Sequence, residues 1–116
     1  MAGEGRANRL RGFQFERDCV NSARAAGLGA KRAYGSNCEA LGLHKEVDLV
    51  IEGVPLQAKR MKKASSKYLP NHEAGVVGQV FREDRGIPYV TLEYSLFLNM
   101  LSEIQELRET IEHVSD

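Results

Sequence analysis

The stretch EVDLVIEGVPLQAKR, residues 46–60, has the pattern of a β-hairpin. Its run VDLVI is apolar and β-branched, which predicts a buried strand. The pair Glu52-Gly53 predicts a tight turn, and VPLQAK predicts the returning strand. Pro55 lies near the start of that strand, where a missing backbone amide is best tolerated. The sequence therefore predicts a hairpin around which the rest of the chain is organised.

Polar residues mark the open end of this hairpin. Side chains two residues apart on a strand share a face, so Glu46 and Asp48 are expected to point the same way. The same spacing relates Gln57 and Lys59, and pairing across the turn would bring Asp48 close to facing Gln57. Oxygen ligands of this type suit Mg²⁺, and a neighbouring lysine can position a water or steady charge on a phosphate. The pattern predicts metal-assisted phosphodiester hydrolysis, with a cross-strand ion pair as the alternative.

The flanking segments predict a small α/β domain. In chain order the predicted elements are a helix from about Arg9 to Ala26, a strand at 30–35, a loop at 36–45, the hairpin, a helix at 72–86 and a strand at 87–93. We expect one small mixed β-sheet, built on the central hairpin and flanked by helices. A chain of 116 residues is expected to form a single domain, spanning 1–116.

The last segment predicts an amphipathic helix from Ser95, a candidate N-cap, to about His113. Residues 102–116 are expected to extend this C-terminal helix. Its apolar residues recur in a seven-residue pattern, at Phe97, Met100, Ile104, Leu107 and Ile111. Packing on the domain's own sheet and dimerisation both remain open. Acidic residues flank the pattern, so two parallel copies are expected to repel, and a basic partner surface would suit the helix better: Glu103, Glu106, Glu109 and Glu112.

Charge is unevenly distributed along a chain whose formal net charge is zero. Residues 1–67 hold 13 Lys and Arg against 7 Asp and Glu, whereas residues 68–116 hold 3 against 9. The basic half could neutralise phosphates, or the two halves could pair within the fold. Residues 1–8, which include Arg6, are expected to be a flexible basic arm, and Arg9 and Arg11 follow it. The basic residues after the hairpin are candidates for phosphate contacts or for a solvated loop: Arg60, Lys62, Lys63 and Lys67.

Several classes of protein are disfavoured by the composition. No apolar run approaches the roughly 20 residues that span a bilayer, and the N-terminus lacks the apolar core of a signal peptide. A cytoplasmic protein with no membrane partner is therefore expected. Only Cys19 and Cys38 are present, which argues against a disulfide framework. The histidines are scattered, at His44, His72 and His113, and provide no zinc-binding pattern.

Three motifs occur in an order typical of a known nuclease superfamily. These are GFQFERDCV at 12–20, GAKRAYGS at 29–36 and VDLVIEGVPLQAKR at 47–60. In this order they resemble the PD-(D/E)XK nuclease superfamily. Within it, the chain is most similar to archaeal-type Holliday junction resolvases and their phage-borne relatives, over about residues 9–101. The resemblance implies a restriction-endonuclease-like core.

The resemblance also implies an activity and roles for particular residues. It implies a homodimer in which each subunit nicks one strand of a branched DNA using Mg²⁺, for which Mn²⁺ is expected to substitute. Asp48 would be the principal metal ligand, and Lys59 would serve the attacking water. Glu16 would reach the metal from the first helix, and the carbonyl of Ala58 would complete the inner shell.

Further residues are assigned to the DNA. Arg17 and Ser36 would contact the scissile strand or order the active-site loop. The expected DNA-binding residues are Arg9, Arg11, Arg17, Arg32, Arg60, Lys62, Lys63 and Lys67.

One position departs from the family pattern. Gln57 stands where the family has its second carboxylate. An amide oxygen can coordinate a cation but contributes no charge, so metal affinity is expected to fall, and Glu46 could restore that charge. A Gln-x-Lys motif also resembles the virus-type replication–repair branch of the superfamily. The sequence thus predicts a Holliday junction resolvase, with a repair-type nuclease on other DNA structures or a non-catalytic DNA-binding relative as alternatives.

Overall fold

The computed structural model describes residues 2–33, 42 and 44–115. The chain divides into two compact units, the first comprising Met1–Arg60 and Leu101–Asp116 and the second Met61–Met100. Within the described residues, no helix combines the length and the apolar character needed to cross a membrane.

The first unit contains a long helix and a three-stranded antiparallel sheet. Helix α1 spans Ala2–Ala25, and strands β1, β2 and β3 span Ala30–Arg32, Leu49–Ile51 and Val54–Leu56. The strand order is β1-β2-β3, so β2 is the central strand. Helix α1 ends as expected at Gly27, whose φ of 82° lies in the left-handed region that glycine adopts without strain.

The predicted hairpin is confirmed. Glu52 and Gly53 connect β2 to β3, and their φ values of 48° and 79° are both positive. A two-residue turn of this kind matches the right-handed twist of the strands that it joins. The register pairs Ile51 with Val54 and Leu49 with Leu56. The turn is tied to β1 because the N–H of Gly29 donates to Oε1 of Glu52 at 2.7 Å, and the N–H of Glu52 donates to the carbonyl of Gly29 at 2.8 Å.

The core of the first unit lies where α1 covers β1 and β2. Leu49 and Ile51 of β2 are buried, with exposed fractions of 2% and 0%. They share a face because they are two residues apart on the strand. From α1, the buried side chains are Cys19, Val20 and Ala23, at helical spacing.

The start of α1 differs from the sequence-based expectation. Helix begins at Ala2 rather than near Arg9, so residues 2–8 are helical and do not form a flexible arm. Gly3 and Gly5 each cost about 1 kcal/mol relative to alanine in a helix. The neighbouring alanines and arginines are strong helix formers, and they outweigh that cost.

The second unit contains a two-stranded antiparallel sheet. Strand β4 spans Gly78–Phe81 and β5 spans Tyr89–Leu92, with Phe81 opposite Tyr89. The rings of Tyr68 and Phe81 lie 4.9 Å apart between centroids, and those of Phe81 and Tyr89 lie 6.0 Å apart. Short 3₁₀ turns at Ser66–Tyr68 and His72–Ala74 precede the sheet. The strand expected at 87–93 is confirmed as β5.

The helix predicted at 72–86 is wrong. One 3₁₀ turn ends at Gly75, whose φ of 78° stops helix propagation. The following residues then form β4, in which Gly78 pairs with Leu92. A Cβ on Gly78 would lie 2.6 Å from Cδ2 of Leu92, so a larger residue at this position would require the Leu92 side chain to move. Gly75 thus ends a 3₁₀ turn and Gly78 lies in a strand, and glycine disfavours the helix that the sequence predicts here.

The mixed sheet is also not observed. Every strand pair among the described residues is antiparallel, in one sheet of three strands and one of two. A parallel pair needs a long crossover, whereas β2–β3 and β4–β5 are joined by short connections. The α/β class is confirmed, as helices with two small antiparallel sheets. The restriction-endonuclease-like core stays a prediction.

The C-terminal helix, α2, spans Tyr94–Ser115. Its start is held by the carbonyl of Glu93, which accepts from the N–H groups of Leu96 at 3.1 Å and Phe97 at 3.2 Å. Ser95 lies inside the first turn, where its hydroxyl donates to Oε1 of Glu93 at 3.0 Å, so it is not the N-cap. The helix includes the described part of the predicted extension at 102–116.

Replacing Ile51 tests the core of the first unit. We expect Ile51→Ala to lower the free energy of unfolding by about 2–5 kcal/mol, because it removes a fully buried side chain and leaves a cavity. Urea denaturation followed by circular dichroism measures this change. The matched control is Val54→Ala at the position opposite, which is 36% exposed and should cost clearly less. Equal losses for the two variants would contradict this description of the core.

Candidate active site

Asp48 lies where the regular pleat of β2 begins. Its N–H donates to the carbonyl of Leu56 on β3 at 2.9 Å, while its own carbonyl accepts from the N–H of Ala33 at 2.8 Å. In a regular antiparallel strand the N–H and the C=O of one residue point to the same neighbouring strand. Those of Asp48 point to opposite neighbours, so the regular pleat is interrupted at this residue. Strand periodicity therefore does not set the direction of this side chain. The sequence predicts that Glu46 and Asp48 share one face of a strand. Glu46 instead lies in a turn, where its N–H donates to Nδ1 of His44, so the spacing rule for strands does not apply to this pair.

The carboxylate of Asp48 is held by the opposite arm of the hairpin. Its Oδ2 accepts a hydrogen bond from the N–H of Ala58 at 2.8 Å, and the residue is half-buried. Gln57 and Lys59, on either side of Ala58, are exposed. Among the described residues Lys59 forms no ion pair, so the alternative of a cross-strand pair with Asp48 is not observed. The hairpin thus gathers a carboxylate, an amide and an ammonium group along one short stretch of backbone.

Glu16 reaches the same end of the sheet through Arg32. Nη2 of Arg32 lies 2.9 Å from Oε2 of Glu16, and the two side chains are only 13% and 15% exposed. Arg32 is the pairing partner of Leu49, the residue next to Asp48, and the following residue, Ala33, donates to the Asp48 carbonyl. Helix α1 therefore places Glu16 at the end of β1 and β2 at which Asp48 lies.

An aromatic ring completes the surroundings of Arg32. Its guanidinium carbon lies 5.5 Å from the centroid of the Phe13 ring. Phe13 precedes Glu16 by three residues on α1, so both side chains belong to one side of the helix. A guanidinium over an aromatic face gains electrostatic attraction from the negative ring face. Two residues of α1 thus hold Arg32.

The role predicted for Arg32 is not the one that its contacts indicate. Arg32 is expected from the sequence to bind DNA, but it is largely buried and already bound to Glu16. Its guanidinium group fixes the position of the Glu16 carboxylate. The other predicted DNA-binding residues are exposed: Arg9, Arg11, Arg17 and Arg60 in the first unit, and Lys62, Lys63 and Lys67 in the second. Ser36 lies outside the described residues.

The donors fit a hard cation in chemical type. Carboxylate, amide and carbonyl oxygens come from Asp48, Glu16, Gln57 and Ala58, and such oxygens are the ligands that Mg²⁺ prefers. In the described part of the chain, no group of three His, Cys, Asp or Glu side chains is placed to hold a metal ion. The charge of Glu16 is balanced by Arg32, so Asp48 supplies the uncompensated negative charge. Such a set of protein ligands suits a cation that is also coordinated by oxygens of a phosphate group.

Cys19 lies next to this site on helix α1, and the sequence assigns it no role in the chemistry. It is buried on α1, three residues after Glu16. Burial raises the pKa of the Cys19 thiol above its ordinary value of 9.0, and the negative charges of Asp18 and Glu16 raise it further. A thiol in this state is a weak nucleophile, so Cys19 belongs to the core rather than to the chemistry.

Comparisons with known protein families, with curated proteins and with solved structures find no match to this chain. A function for the protein is therefore inferred from the motifs of its sequence and from the contacts described above.

Removing Arg32 tests whether the ion pair fixes Glu16. We expect Arg32→Ala to lower the free energy of unfolding by about 2–4 kcal/mol, because it leaves a largely buried carboxylate without its partner. Chemical denaturation measures the loss. Arg17→Ala, an exposed arginine on α1, serves as the control and should cost less than about 0.5 kcal/mol. The double variant E16L/R32M should recover much of the stability; additive losses would refute a coupled pair.

Cys19 offers a test that depends on pH. Because its pKa is raised, we expect native Cys19 to react with iodoacetamide several-fold more slowly than in denaturant near neutral pH, with a rate that rises in alkaline solution. In the unfolded chain the thiol ionises at lower pH, so its contribution to stability is full below the ordinary pKa and decreases as pH rises above it. Peptide mass spectrometry separates Cys19 from Cys38. Equal rates in both states would show that the thiol is accessible.

Proposed function

We propose that this protein is a Mg²⁺-dependent, structure-selective DNA endonuclease, acting as a Holliday junction resolvase. One observation carries the proposal: Asp48 is bound by the N–H of Ala58, between Gln57 and Lys59, while Arg32 holds Glu16 at the same end of the sheet. These are the residues that the resemblance to PD-(D/E)XK nucleases assigns to the chemistry. Their contacts in the first unit support the assignment of Asp48 and Glu16 to one site.

Asp48, Glu16, Gln57 and the carbonyl of Ala58 would hold the cation, either Mg²⁺ or Mn²⁺. When bound, the cation supplies a more acidic water and stabilises negative charge on the scissile phosphate. The chain's own contribution is preorganisation. The N–H of Ala58 fixes Oδ2 of Asp48, and Arg32 fixes Oε2 of Glu16. Each carboxylate thus keeps its other oxygen, Oδ1 or Oε1, for the site.

Lys59 provides the positive charge of the site. It is exposed and lies two residues after Gln57, directly beyond the residue that holds Asp48. Its ammonium group can hold the attacking water by a hydrogen bond and can stabilise the negative charge that develops on the phosphate oxygens. Both roles need a side chain that reaches the substrate, which agrees with the exposure of Lys59.

Exposed cations would contact the DNA backbone. Helix α1 carries Arg9, Arg11 and Arg17, and Arg60 follows the hairpin. In the second unit the exposed lysines are Lys62, Lys63 and Lys67. Contacts to phosphates position a protein on DNA without reading its sequence, as a structure-selective enzyme requires. Action on branched DNA in the cytoplasm, by a homodimer, is part of this proposal.

A second function is favoured by one feature of the site. Gln57 brings no charge, and Glu16 is balanced by Arg32, so the site has little negative charge of its own. A protein with this site could bind branched DNA through its basic residues without cutting it. Its binding would fall steeply with salt, because each neutralised phosphate releases counterions. Cleavage of other DNA structures, by a repair-type nuclease, is the remaining alternative.

A cleavage assay tests the proposal. The protein is incubated with a labelled four-way junction and with a matching linear duplex, in Mg²⁺ or in EDTA. We expect symmetric nicks in the junction alone, and only with Mg²⁺. Lys59→Ala should slow cleavage by about 10²-fold or more while junction binding is kept, since a positioned proton donor contributes at least this much. Lys31→Ala, an exposed lysine on β1, is the matched control and should cut normally.

Other outcomes separate the alternatives. Equal cutting of the junction and the duplex would indicate a repair-type nuclease. Salt-sensitive binding with no cleavage in any divalent metal would indicate the non-catalytic protein. If Gln57→Glu then brought cleavage at a low Mg²⁺ concentration, the missing charge would be identified as the cause. Cleavage that survives Lys59→Ala unchanged would refute the proposed site.

A further inference from the structure

The end of helix α2 exposes a continuous apolar stripe. Ile104, Leu107, Ile111 and Val114 are 44%, 63%, 64% and 80% exposed. They follow one another at steps of three, four and three residues, so they lie along one side of the helix. We call these four residues the apolar stripe. A row of large apolar side chains at this spacing is typical of a surface that another helix covers.

Packing within the first unit uses a different side of the helix. Leu101, Ser102 and Gln105 are half-buried, and the hydroxyl of Ser102 donates to the carbonyl of Ala26 at 3.1 Å. From Glu106 to Val114 every side chain is exposed. The interpretation that the apolar pattern packs on the domain's own sheet therefore fails for the apolar stripe. A short helical end that is exposed to water is marginally stable, and a partner helix would stabilise it.

We propose that the apolar stripe pairs with the same stripe of a second copy of this chain, in a parallel two-stranded coiled coil. In a heptad labelled a to g, Ile104 and Ile111 take the a positions, and Leu107 and Val114 take the d positions. A β-branched residue at a with leucine at d favours two parallel strands over three or four. The identity of the core residues therefore favours two helices, and the charges beside the stripe decide their direction.

The charges beside the apolar stripe support a second copy as the partner. In this heptad Glu103 occupies position g and Arg108 occupies position e, and both are exposed. In a parallel coiled coil, the residue at position g of one helix faces the residue at position e in the next heptad of the partner helix, five residues further along the chain. Glu103 of each chain would thus face Arg108 of the other. The two ion pairs form together only when the helices are parallel and in register.

The sequence alone suggests that the glutamates of two parallel helices repel each other. The heptad positions remove the reason for this expectation. Glu106, Glu109 and Glu112 occupy positions c, f and b, which point away from a partner helix. Solvent and salt screen charges on these outer faces. Only Glu103 lies beside the apolar stripe, where it meets an arginine. A basic partner surface is therefore not required, and the proposal is independent of the proposed nuclease chemistry.

The first experiment measures mass in solution by sedimentation equilibrium over a wide range of protein concentration. We expect the apparent mass to rise from the monomer value of 12.9 kDa toward twice that value. Leu107→Glu should keep the protein monomeric throughout. The matched control is His113→Glu at position c, which adds the same charge to the exposed helix end and should associate like the wild type. Circular dichroism checks that both variants are folded.

A charge exchange tests direction and register. Glu103→Lys alone places a lysine opposite the arginine of the other chain, and Arg108→Glu alone places two glutamates together. Each variant should therefore associate more weakly than the wild type. When the two variants are mixed in equal amounts, the parallel heterodimer contains no like-charge contact at these positions. We expect association to return on mixing, because that heterodimer contains a lysine–glutamate pair and a glutamate–arginine pair. In an antiparallel pair e positions face e positions and g positions face g positions, so Glu103 does not meet Arg108 and Arg108→Glu alone should not weaken association.

The proposal is overturned by three results. A chain that stays monomeric at every concentration leaves the apolar stripe to a different partner. Association that survives Leu107→Glu uses another surface. Failure of the two charge variants to recover association on mixing excludes the parallel register, even if the wild type forms a dimer.

Discussion

The two-residue turn at Glu52 and Gly53 is the constraint on which the first unit depends. Their positive φ values close the hairpin without a bulge, and this sets Leu49 opposite Leu56. A slip of one residue would exchange the two faces of the strand and expose Leu49 and Ile51. The same register brings the backbone of Ala58 to the carboxylate of Asp48. The core and the candidate site therefore follow from one short turn, and Glu52 also ties that turn to the start of β1 through Gly29.

The Glu16–Arg32 pair links helix α1 to the sheet at its polar end. Apolar contacts through Val20 and Ala23 hold the helix on the sheet, but such contacts are not directional. An ion pair with Oε2 of Glu16 specifies one rotation of the helix about its axis. The cost of removing two charges from water offsets most of the attraction within a buried ion pair, so the contact is better explained by positioning than by stability. The structure thus keeps the Glu16 carboxylate at the end of the sheet where Asp48 lies, although doing so brings little stability.

Helix α2 combines two interaction surfaces that the amphipathic pattern of the sequence does not separate. Ser102 and Gln105 lie on the side that packs within the first unit, whereas Leu107 and Ile111 lie on an exposed side. Both sides contain residues at helical spacing, so periodicity alone treats them as a single helix face. Exposure distinguishes them, and it favours association rather than core packing as the role of the seven-residue repeat. In the heptad, Glu106, Glu109 and Glu112 lie away from this exposed side.

The sequence by itself determined the features that depend on neighbouring residues. The hairpin, its turn at Glu52-Gly53 and the end of α1 at Gly27 all follow from backbone preferences that act within a few residues. The strand at β5 and the long C-terminal helix were found for the same reason. The placement of Asp48 near Gln57 and Lys59 followed from the hairpin, since all three lie on its two arms.

Only the tertiary structure decided the features that depend on residues distant in the chain. Gly78 lies in a strand because its backbone pairs with that of Leu92, fourteen positions later. Arg32 has the sequence pattern of one more surface cation, but its contacts with Glu16 and Phe13 place it in a largely buried position. Burial and pairing are properties of the packed molecule, and no local pattern encodes them when the partners come from separate elements.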